Sequence, residues 1–512
     1  MANLLSFNQV EYSYPASLVP VVRNLRFELG ESWTGVTGGN GAGKTTLLLL
    51  AAGLLTPGAG VIRGPESRLY CPQRTDRLWE DERFRAAVDD FFFSGGNEAG
   101  RLMNTLRIEW DWPERWDSLS HGERKRLQVA AALFSRPRVL ALDEPANHLD
   151  RESRELVAGA LAAYEGIGLL VSHDRALLDR LCSRCLFLED GAAVLRPGNA
   201  SAGLIEDERE QLNKRRERKN LRVERERLAA EAENRLRTVA GSRKRLSQRR
   251  VAPKDHDTRG KIRLAVLTGK DKIGADLYKR MENRRKKADE ALEEARFRAE
   301  RPTGLTLHAE ASRADRLLFL PAGELPLGGE RRLRFPDLTL APRDRVALMG
   351  PNGAGKSTLI RHLLERLPKQ GLLYMPQELS VEQSADLFAR LGALDEQSRG
   401  EVLSRFSRLG SDPRSLLQSA ASGRGAPSPG EARKLLTAYG VLQNPALIIM
   451  DEPTNHLDLQ SIQVLESLLS EADCALLLVS HDEVFLSRLT TRSWLISTDH
   501  LSIQDNPFPS PS

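Results

Sequence analysis

Cysteine is scarce in this chain, four residues in 512, which excludes a disulfide-built scaffold and fits a reducing compartment. Cys182 and Cys185 form one C-x-x-C, but no second pair accompanies them, so a zinc or redox site ranks below two small buried residues. Long apolar runs are missing too. The longest, Leu47 to Leu55, is about half of what a membrane span needs. The N-terminus, Met1-Ala2-Asn3-Leu4-Leu5-Ser6, has no charged n-region and no apolar h-region, so no signal peptide is expected. These absences predict a soluble, cytoplasmic protein without a membrane domain.

What is present is a repeated phosphate-loop pattern. Gly38-Gly39-Asn40-Gly41-Ala42-Gly43-Lys44-Thr45-Thr46 returns as Gly350-Pro351-Asn352-Gly353-Ala354-Gly355-Lys356-Ser357-Thr358, and both fit G-x-x-x-x-G-K-[ST]. Glycines let the backbone bend so that successive N–H groups point at phosphate oxygens, and the following helix N-terminus adds partial positive charge. Gly38, Asn40, Gly41, Gly43, Gly350, Asn352, Gly353 and Gly355 are the cradle, with Thr46 and Thr358 beside it. Lys44 and Lys356 reach the β/γ-phosphates, and the hydroxyls of Thr45 and Ser357 ligate Mg²⁺. A nucleoside triphosphate is therefore expected twice, each with Mg²⁺.

The rest of the chain repeats around these loops. Short strands are expected at Leu4 to Tyr14, Val21 to Leu29 and Trp33 to Val36, and the helix after the first loop ends near Gly53. Leu69 to Gln73 reads as a strand delivering Gln73 into a loop, and Ser118 to Glu123 opens a helix running to Phe134. Val139 to Glu144 and Leu169 to Asp174 read as buried parallel strands. Ser120, Asp143 and His173 recur as Ser428, Asp451 and His481, all 308 positions on, while the phosphate loops are offset by 312 and Gln73 and Gln377 by 304. Equal offsets with small drift mean a duplicated domain with loop insertions, not a solenoid.

Net charge is only +5, but its distribution is uneven. Glu206 to Arg301 holds 31 Lys and Arg against 19 Asp and Glu, while the remainder carries 44 against 51. Both limbs of this insert, Leu204 to Arg250 and Lys272 to Arg301, are rich in Glu, Arg, Leu and Ala, good helix formers. Breakers at Val251 to Asp257 separate them, which predicts an antiparallel helical hairpin with Leu212, Leu221, Leu228, Leu236 and Leu246 as its seam. Arg243, Lys244, Arg245, Arg249, Arg250, Lys254, Arg259, Lys261 and Arg263 cluster around its tip. A solvated spacer gains nothing from cations concentrated at its far end, whereas phosphate binding gains from each. With no Phe, Trp or Tyr between Ser242 and Lys272, backbone and shape contacts with nucleic acid are favoured over base stacking.

Asp143 and Asp451, at strand ends, fit the group holding the Mg²⁺ shell, with Gln73 and Gln377 beside them. Glu144 and Glu452 are placed to orient the water attacking the γ-phosphate. His173 and His481, each 29 residues past its glutamate, are candidates to contact the γ-phosphate and stabilise the transition state.

The order of phosphate loop, glutamine, Ser-x-Gly-Glu, Asp-Glu-Pro and histidine is similar to that of ATP-binding cassette (ABC) ATPases. Asp143-Glu144-Pro145-Ala146-Asn147-His148-Leu149-Asp150 and Asp451-Glu452-Pro453-Thr454-Asn455-His456-Leu457-Asp458 resemble the signature of the F-type subfamily, ABC-F. The resemblance implies an α/β fold with two P-loop ABC ATPase domains joined by a long basic helical hairpin. The expected domains are 1–203 and 306–500, with the linker at 204–305 and a short Pro/Ser-rich tail at 501–512. It also implies that the cassettes close head to tail as an intramolecular dimer in a monomeric chain. Lys44, Glu144 and His173 then work with Ser428, Gly430 and Glu431, and Lys356, Glu452 and His481 with Ser120, Gly122 and Glu123. Relatives of this kind bind the ribosome, reach rRNA and tRNA near the peptidyl-transferase centre, and in some cases protect it from antibiotics.

The chain departs from that pattern in places. His121 stands where glycine is usual, and the second signature reads Pro427-Ser428-Pro429-Gly430-Glu431, removing a backbone donor near the expected phosphate. Tyr14 fits the aromatic that stacks on adenine, but no counterpart is evident before the second loop, where Pro321 to Gly329 reads as irregular. Unequal sites are the expectation. The alternatives are the ATPase subunit of a membrane transporter, which gives no role to a basic hairpin, and a DNA-repair-type ATPase, which usually carries zinc cysteines or a very long coil.

Overall fold

The computed structural model describes residues 4–15, 19–76, 78–93, 96–147, 149–203, 315–411, 413, 416, 428–455, 457–505 and 508; within the insert it describes 206, 209, 216, 220–231, 283, 284, 286, 287 and 289. Two compact units result: Met1–Gly203 with Pro302–Ser512, and Leu204–Arg301. The first contains both cassettes.

In the first cassette, alternating apolar residues fold β1 (Leu5–Tyr12) against β2 (Val22–Leu29) and β4 (Ala59–Arg63) as an antiparallel sheet in the order β2-β1-β4. Between them run β3 (Ser32–Gly38) and helix α1 (Lys44–Ala51), with the phosphate loop at the turn. A second sheet has the order β5-β6-β7-β3-β8-β9, built from β5 (Arg68–Cys71), β6 (Val139–Asp143), β7 (Ile167–Val171), β8 (Cys182–Glu189) and β9 (Ala192–Pro197). Its central pairs are parallel, and β6 and β7 are buried at every position, which is why they read as unbroken apolar runs. The helices are α2 (Glu82–Phe93), α3 (Asn97–Leu106), α4 (His121–Phe134), α5 (Arg151–Ala162) and α6 (Arg175–Leu181). One core joins the two sheets: Phe7, Leu25, Leu47, Leu50, Val139, Leu169 and Leu186 meet on the inner side of α1.

The second cassette repeats this arrangement in an eight-stranded sheet and a separate two-stranded antiparallel one. Its strands are β10 (Leu318–Leu320), β11 (Gly323–Gly328), β12 (Arg331–Phe335), β13 (Leu338–Leu340), β14 (Arg345–Met349), β15 (Leu372–Met375), β16 (Leu447–Asp451), β17 (Ala475–Val479), β18 (Arg492–Ser497) and β19 (His500–Asp505). The eight-stranded order is β11-β12-β19-β18-β14-β17-β16-β15. Helices α7 (Lys356–Leu364), α8 (Val381–Ala393), α9 (Glu396–Arg408), α10 (Pro429–Leu442), α11 (Leu459–Ser470) and α12 (Glu483–Leu489) complete it.

Three details depart from the sequence reading. The segment Pro321 to Gly329, read as irregular, contains β11, paired antiparallel with β12. Its Gly-Glu-Leu-Pro-Leu-Gly composition hides the strand, and Pro326 is tolerated because β11 lies at the sheet edge. Strand β19 continues to Asp505, paired along β18, five residues into the segment read as a tail. The strand β4 was not anticipated at all, since Ala59-Gly60-Val61-Ile62-Arg63 is mostly exposed and shows no apolar alternation.

In the insert, 220–231 is helical, with Arg222 paired to Glu226 one turn on at 3.2 Å, and 283, 284, 286, 287 and 289 are helical as well. Arg243, Lys244, Arg245, Arg249, Arg250, Lys254, Arg259, Lys261 and Arg263 lie outside the described residues, as do Leu212, Leu236 and Leu246. Among the described residues no helix is long and apolar enough to cross a membrane.

Candidate functional site: two nucleotide centres

Each phosphate loop is shaped by glycines with positive φ. Gly43 and Gly355 cap α1 and α7 in the left-handed region, at φ 98° and 99°, and an added Cβ would meet Val21 Cγ1 at 2.9 Å or Leu327 Cδ2 at 2.4 Å. Gly41 and Gly353 face the other way: at φ 78° and 73° they have nothing within 4 Å of a Cβ position. Glycine is needed there for backbone conformation. Gly38 and Gly350 close the strand ends, and Asn40 and Asn352 are exposed on the loops.

Lys44 arches back so that Nζ donates to Gly38 O at 2.7 Å and Gly39 O at 3.2 Å. Lys356 does the same with Gly350 O at 2.6 Å and Pro351 O at 3.1 Å. Burial lowers both lysine pKa values, with Glu144 and Glu452 respectively the strongest opposing charges. Thr45 Oγ1 donates to Asp143 Oδ2 at 2.8 Å, and Ser357 Oγ to Asp451 Oδ2 at 2.9 Å. Gln73 and Gln377 are exposed in the loops after β5 and β15, and no hydrogen bond among the described residues joins them to those pairs. Tyr14 is exposed beside α1, its hydroxyl 3.2 Å from Thr46 Oγ1. Beside the second loop, Leu327 lies against Gly355, and Arg331 donates to Gly353 O at 3.3 Å.

Glu144 and Glu452 follow β6 and β16 with φ of 50° and 51°, a left-handed conformation unusual for glutamate. The backbone N–H of Glu144 donates to Val171 O and that of Glu452 to Val479 O, which pins each turn to the next strand. Glu144 Oε2 accepts from the His173 N–H at 3.3 Å, and Glu144 Oε1 lies 3.3 Å from His173 Nε2. Glu452 and His481 repeat this at 3.3 Å and 3.4 Å, and His481 Nε2 is also 3.2 Å from Asn352 Oδ1. Burial pushes the Glu144 carboxyl up to about 8, against the pull of Lys44. Glu452 rises to about 7 for the same reason, against Lys356. Burial and the charges of Lys356 and Arg154 hold the His481 imidazole down at about 3, so it is neutral at ordinary pH.

The donor set fits a nucleoside triphosphate with Mg²⁺. Its parts are an open Gly-rich loop on a helix N-terminus, an ammonium in the loop, a hydroxyl–carboxylate pair, and a buried glutamate whose Oε1 has no hydrogen-bond partner in either cassette. The loop N–H groups and lysine would hold the phosphates, with Thr45 and Asp143, or Ser357 and Asp451, holding the cation, which supplies charge neutralisation between phosphates. A glutamate with its pKa raised toward neutrality can then orient a water and take its proton, with the histidine donor beside it.

The signature residues cap helices. Ser120 Oγ accepts from the Glu123 N–H and the Glu123 carboxylate accepts from the Ser120 N–H, opening α4; Ser428 and Glu431 do the same for α10. Pro429 takes the first helical position, where no N–H is required, and Gly430 is buried behind it. Gly122 lies near Leu149 and Ser153. Cys182 and Cys185 are buried in β8 against Gly35, and burial raises both thiol pKa values, Cys185 to about 12. No cluster of three or more His, Cys, Asp or Glu suited to a metal occurs among the described residues.

The site includes residues that sequence reasoning passed over. Tyr70 OH donates to Asp143 Oδ2 at 3.2 Å. The repeat Tyr70-x-x-Gln73 and Tyr374-x-x-Gln377 was the available signal. Lys125 Nζ ties α4 to the glutamine loop through Pro72 O at 2.8 Å, and Arg433 ties α10 to Glu452 O at 2.6 Å. Between cassettes, the Asn40 N–H donates to Asp458 Oδ2 at 3.2 Å, and Arg154 Nη1 donates to His481 O at 2.7 Å.

Two phosphate loops, each backed by a strand-end aspartate, a buried glutamate and a histidine, define a P-loop ATPase built twice. The model of the ABC transporter family matches residues 22–147 and 333–455. The chain is 30% identical to the tylosin resistance ATP-binding protein TlrC of Streptomyces fradiae, over 95% of this chain and 96% of the relative. It is 28% identical to the ribosome protection protein VmlR of Bacillus subtilis (strain 168), over 100% and 90%. Among solved structures, the RNase-L Inhibitor superposes with a TM-score of 0.60 at 18% identity, over 97% of this chain and 90% of that one, a likeness of fold. The chain belongs to the ABC-F subfamily of the ABC ATPases and is an ATP hydrolase.

Proposed function

We propose that this protein is an ATP-dependent, ribosome-binding translation factor that can protect ribosomes from antibiotics. The observation that carries the reading is the match along the whole chain, insert included, to a protein named for ribosome protection, together with a second relative named for tylosin resistance. Two Mg²⁺-bound ATPs lie between head-to-tail cassettes of one chain, each phosphate loop facing the other cassette's signature. The bond from Asn40 to Asp458 supports that arrangement, because it brings the turn after the second Asp-Glu-Pro onto the first phosphate loop. The tip of the insert, where nine cations from Arg243 to Arg263 gather, contacts rRNA and tRNA near the peptidyl-transferase centre. Closure requires both γ-phosphates and hydrolysis releases it, so turnover acts as a switch in the cytoplasm.

Glu144→Gln with Glu452→Gln tests this. Each change keeps the shape of the site and removes the proton acceptor. In lysate with ATP, the doubly substituted chain sediments with ribosomes while the wild type stays mostly free, and removing residues 242–272 weakens that association. A trapped protein that stays at the top of the gradient overturns the reading. Sedimentation with membranes or with DNA instead would favour a transporter subunit or a DNA-repair ATPase.

A further inference from the structure

The chain enters the insert from a clamp in the first cassette. Asn199 caps a helical segment at 200–203, its Oδ1 accepting from the Ala202 N–H at 3.0 Å, and 206, 209, 216 and 220–231 are helical as well. Asp179, on α6, binds that first turn with both oxygens. Oδ1 accepts from the Ser201 N–H at 2.9 Å, and Oδ2 accepts from the Ser201 hydroxyl. Arg196 of β9 donates to Gly203 O at 3.4 Å and lies over the Phe187 ring, which would come within 2.5 Å of a Cβ on Gly203. A carboxylate at a helix N-terminus also meets the partial positive charge there, which strengthens the clamp.

The other end of α6 faces the nucleotide machinery. Asp174 caps the helix, its Oδ1 accepting from the Leu177 N–H at 3.0 Å, and His173, whose N–H donates to Glu144 Oε2, comes directly before that cap. Arg175, the first helical residue, donates to Glu466 Oε1 of the second cassette at 2.9 Å, and both side chains are buried. Leu177 and Leu178 are buried as well. A helix of seven residues packed in this way shifts as one body. The histidine loop, the second cassette and the start of the insert are therefore tied to a single short element. The duplication supplies a control. At the offset of 308 that relates His173 to His481, Asp179 becomes Ser487, whose hydroxyl donates to Val484 O of its own helix at 2.9 Å. The equivalent helix thus carries a self-contained hydroxyl where α6 carries a carboxylate aimed at the root of the insert.

We propose that Asp179 is a positioning residue that passes the state of the nucleotide machinery to the insert: it holds the first turn of the insert's leading helix to α6, so that a shift of the His173 loop or of Arg175 moves the chain where it leaves the cassette. This rests on the reading of His173 as a group that faces the γ-phosphate. The clamp carries direction as well as strength. Asp179 fixes the backbone and the side chain of Ser201 together, so this turn cannot rotate about its axis without losing one of the two bonds. Phe187, closing against Gly203, leaves little slack on the other side. Nucleotide binding at the first centre is therefore felt in the insert through a half-buried carboxylate that touches no part of the phosphate loop.

Amide exchange of residues 220–231, followed by mass spectrometry in the full chain carrying Glu144→Gln and Glu452→Gln, tests this. ATP slows that exchange about fivefold or more, the scale of one hydrogen bond gained. Asp179→Ala abolishes the response, while ATP affinity, set at a distant site, stays within about twofold. Ser487→Ala, the same position in the second cassette, leaves the response intact. Where Asp179→Ala loosens the cassette itself, seen as faster exchange in β6 and β7, Ser201→Ala is read instead. It removes only the hydroxyl bond and cuts the response by about half or more. A parent chain that binds ATP without any response in 220–231, a full response in the Asp179 or Ser201 variant so read, or an equal loss with Ser487→Ala overturns the proposal. Exchange is read without ribosomes, so failure of the ribosome-binding reading, seen by sedimentation, leaves this coupling standing, and failure of the coupling leaves that reading standing.

Discussion

Asp458 Oδ2 accepts from the backbone N–H of Asn40 at 3.2 Å, joining the helix cap of α11 in one cassette to the phosphate loop of the other. The same carboxylate accepts from the Ser461 N–H at 2.8 Å and pairs with Lys434 at 3.4 Å, both side chains being almost fully buried. Burial opposes its ionisation, yet Lys434 and Ser461 prevail and hold the carboxyl at about 2. A nucleotide loop is thereby tied to a core ion pair of the opposite half.

Asp458→Ala should therefore weaken folding by about 3–5 kcal/mol, because the Lys434 ammonium loses its buried counter-charge, with about 1 kcal/mol more from the lost helix cap. Denaturant unfolding of the single variant and of Asp458→Asn with Lys434→Met checks this. The double variant should recover most of the loss, and a double variant as weak as the single one argues against the pairing.

The glutamates give the nucleotide-free protein a pH signature. Burial raises Glu144 to about 8 and Glu452 to about 7, above an unfolded value of about 4.3. The folded chain then holds protons that the unfolded chain has released. This contribution is fully present below about pH 4 and is lost as pH rises through about 7 and 8. His481 has the opposite sign: its folded value of about 3 contributes stability above about 6.5, lost as pH falls toward 3. Glu144→Gln with Glu452→Gln removes only the first trend. Thermal melts should show the double variant gaining on wild type between about pH 5 and pH 8, by a few degrees at the upper end. A gap that narrows with rising pH contradicts this.

Gly168 makes room for Trp33, its partner in the β3–β7 register, whose ring would lie 2.3 Å from a Cβ at that position. The indole is buried and anchored by Nε1 donating to Leu161 O at 2.9 Å, so it cannot swing aside freely. Gly168→Ala should cost about 1–3 kcal/mol through overpacking. Calorimetry reads that loss, and nucleotide affinity, measured at a temperature where the variant is folded, should stay near wild type.

Much of this architecture was legible because its chemistry is local. A loop that must turn through glycines onto a helix N-terminus announces itself, and β6, Val139-Leu140-Ala141-Leu142-Asp143, is buried throughout and so has no polar face to disguise it. What escaped has other causes. The edge strand β11 carries Gly323, Pro326 and Gly328 and gets its order from its partner. Arg154, Arg175 and Arg433 look like surface cations in sequence, yet Arg175 and Arg433 are buried, and all three act on groups far along the chain. Tyr70 was visible only through its repetition at Tyr374.

Glu144 and Glu452 sit at φ of 50° and 51°, where asparagine or glycine would be at ease. Both are buried as well, so each is unfavourable to the fold by conformation and by charge. Drift under selection for stability alone would erase them, since replacements there relieve the strain and the desolvation together. On the proposed role of both glutamates in orienting water, glutamate at both turns sets turnover against durability, and a descendant that no longer needs to hydrolyse ATP should show its first substitutions there.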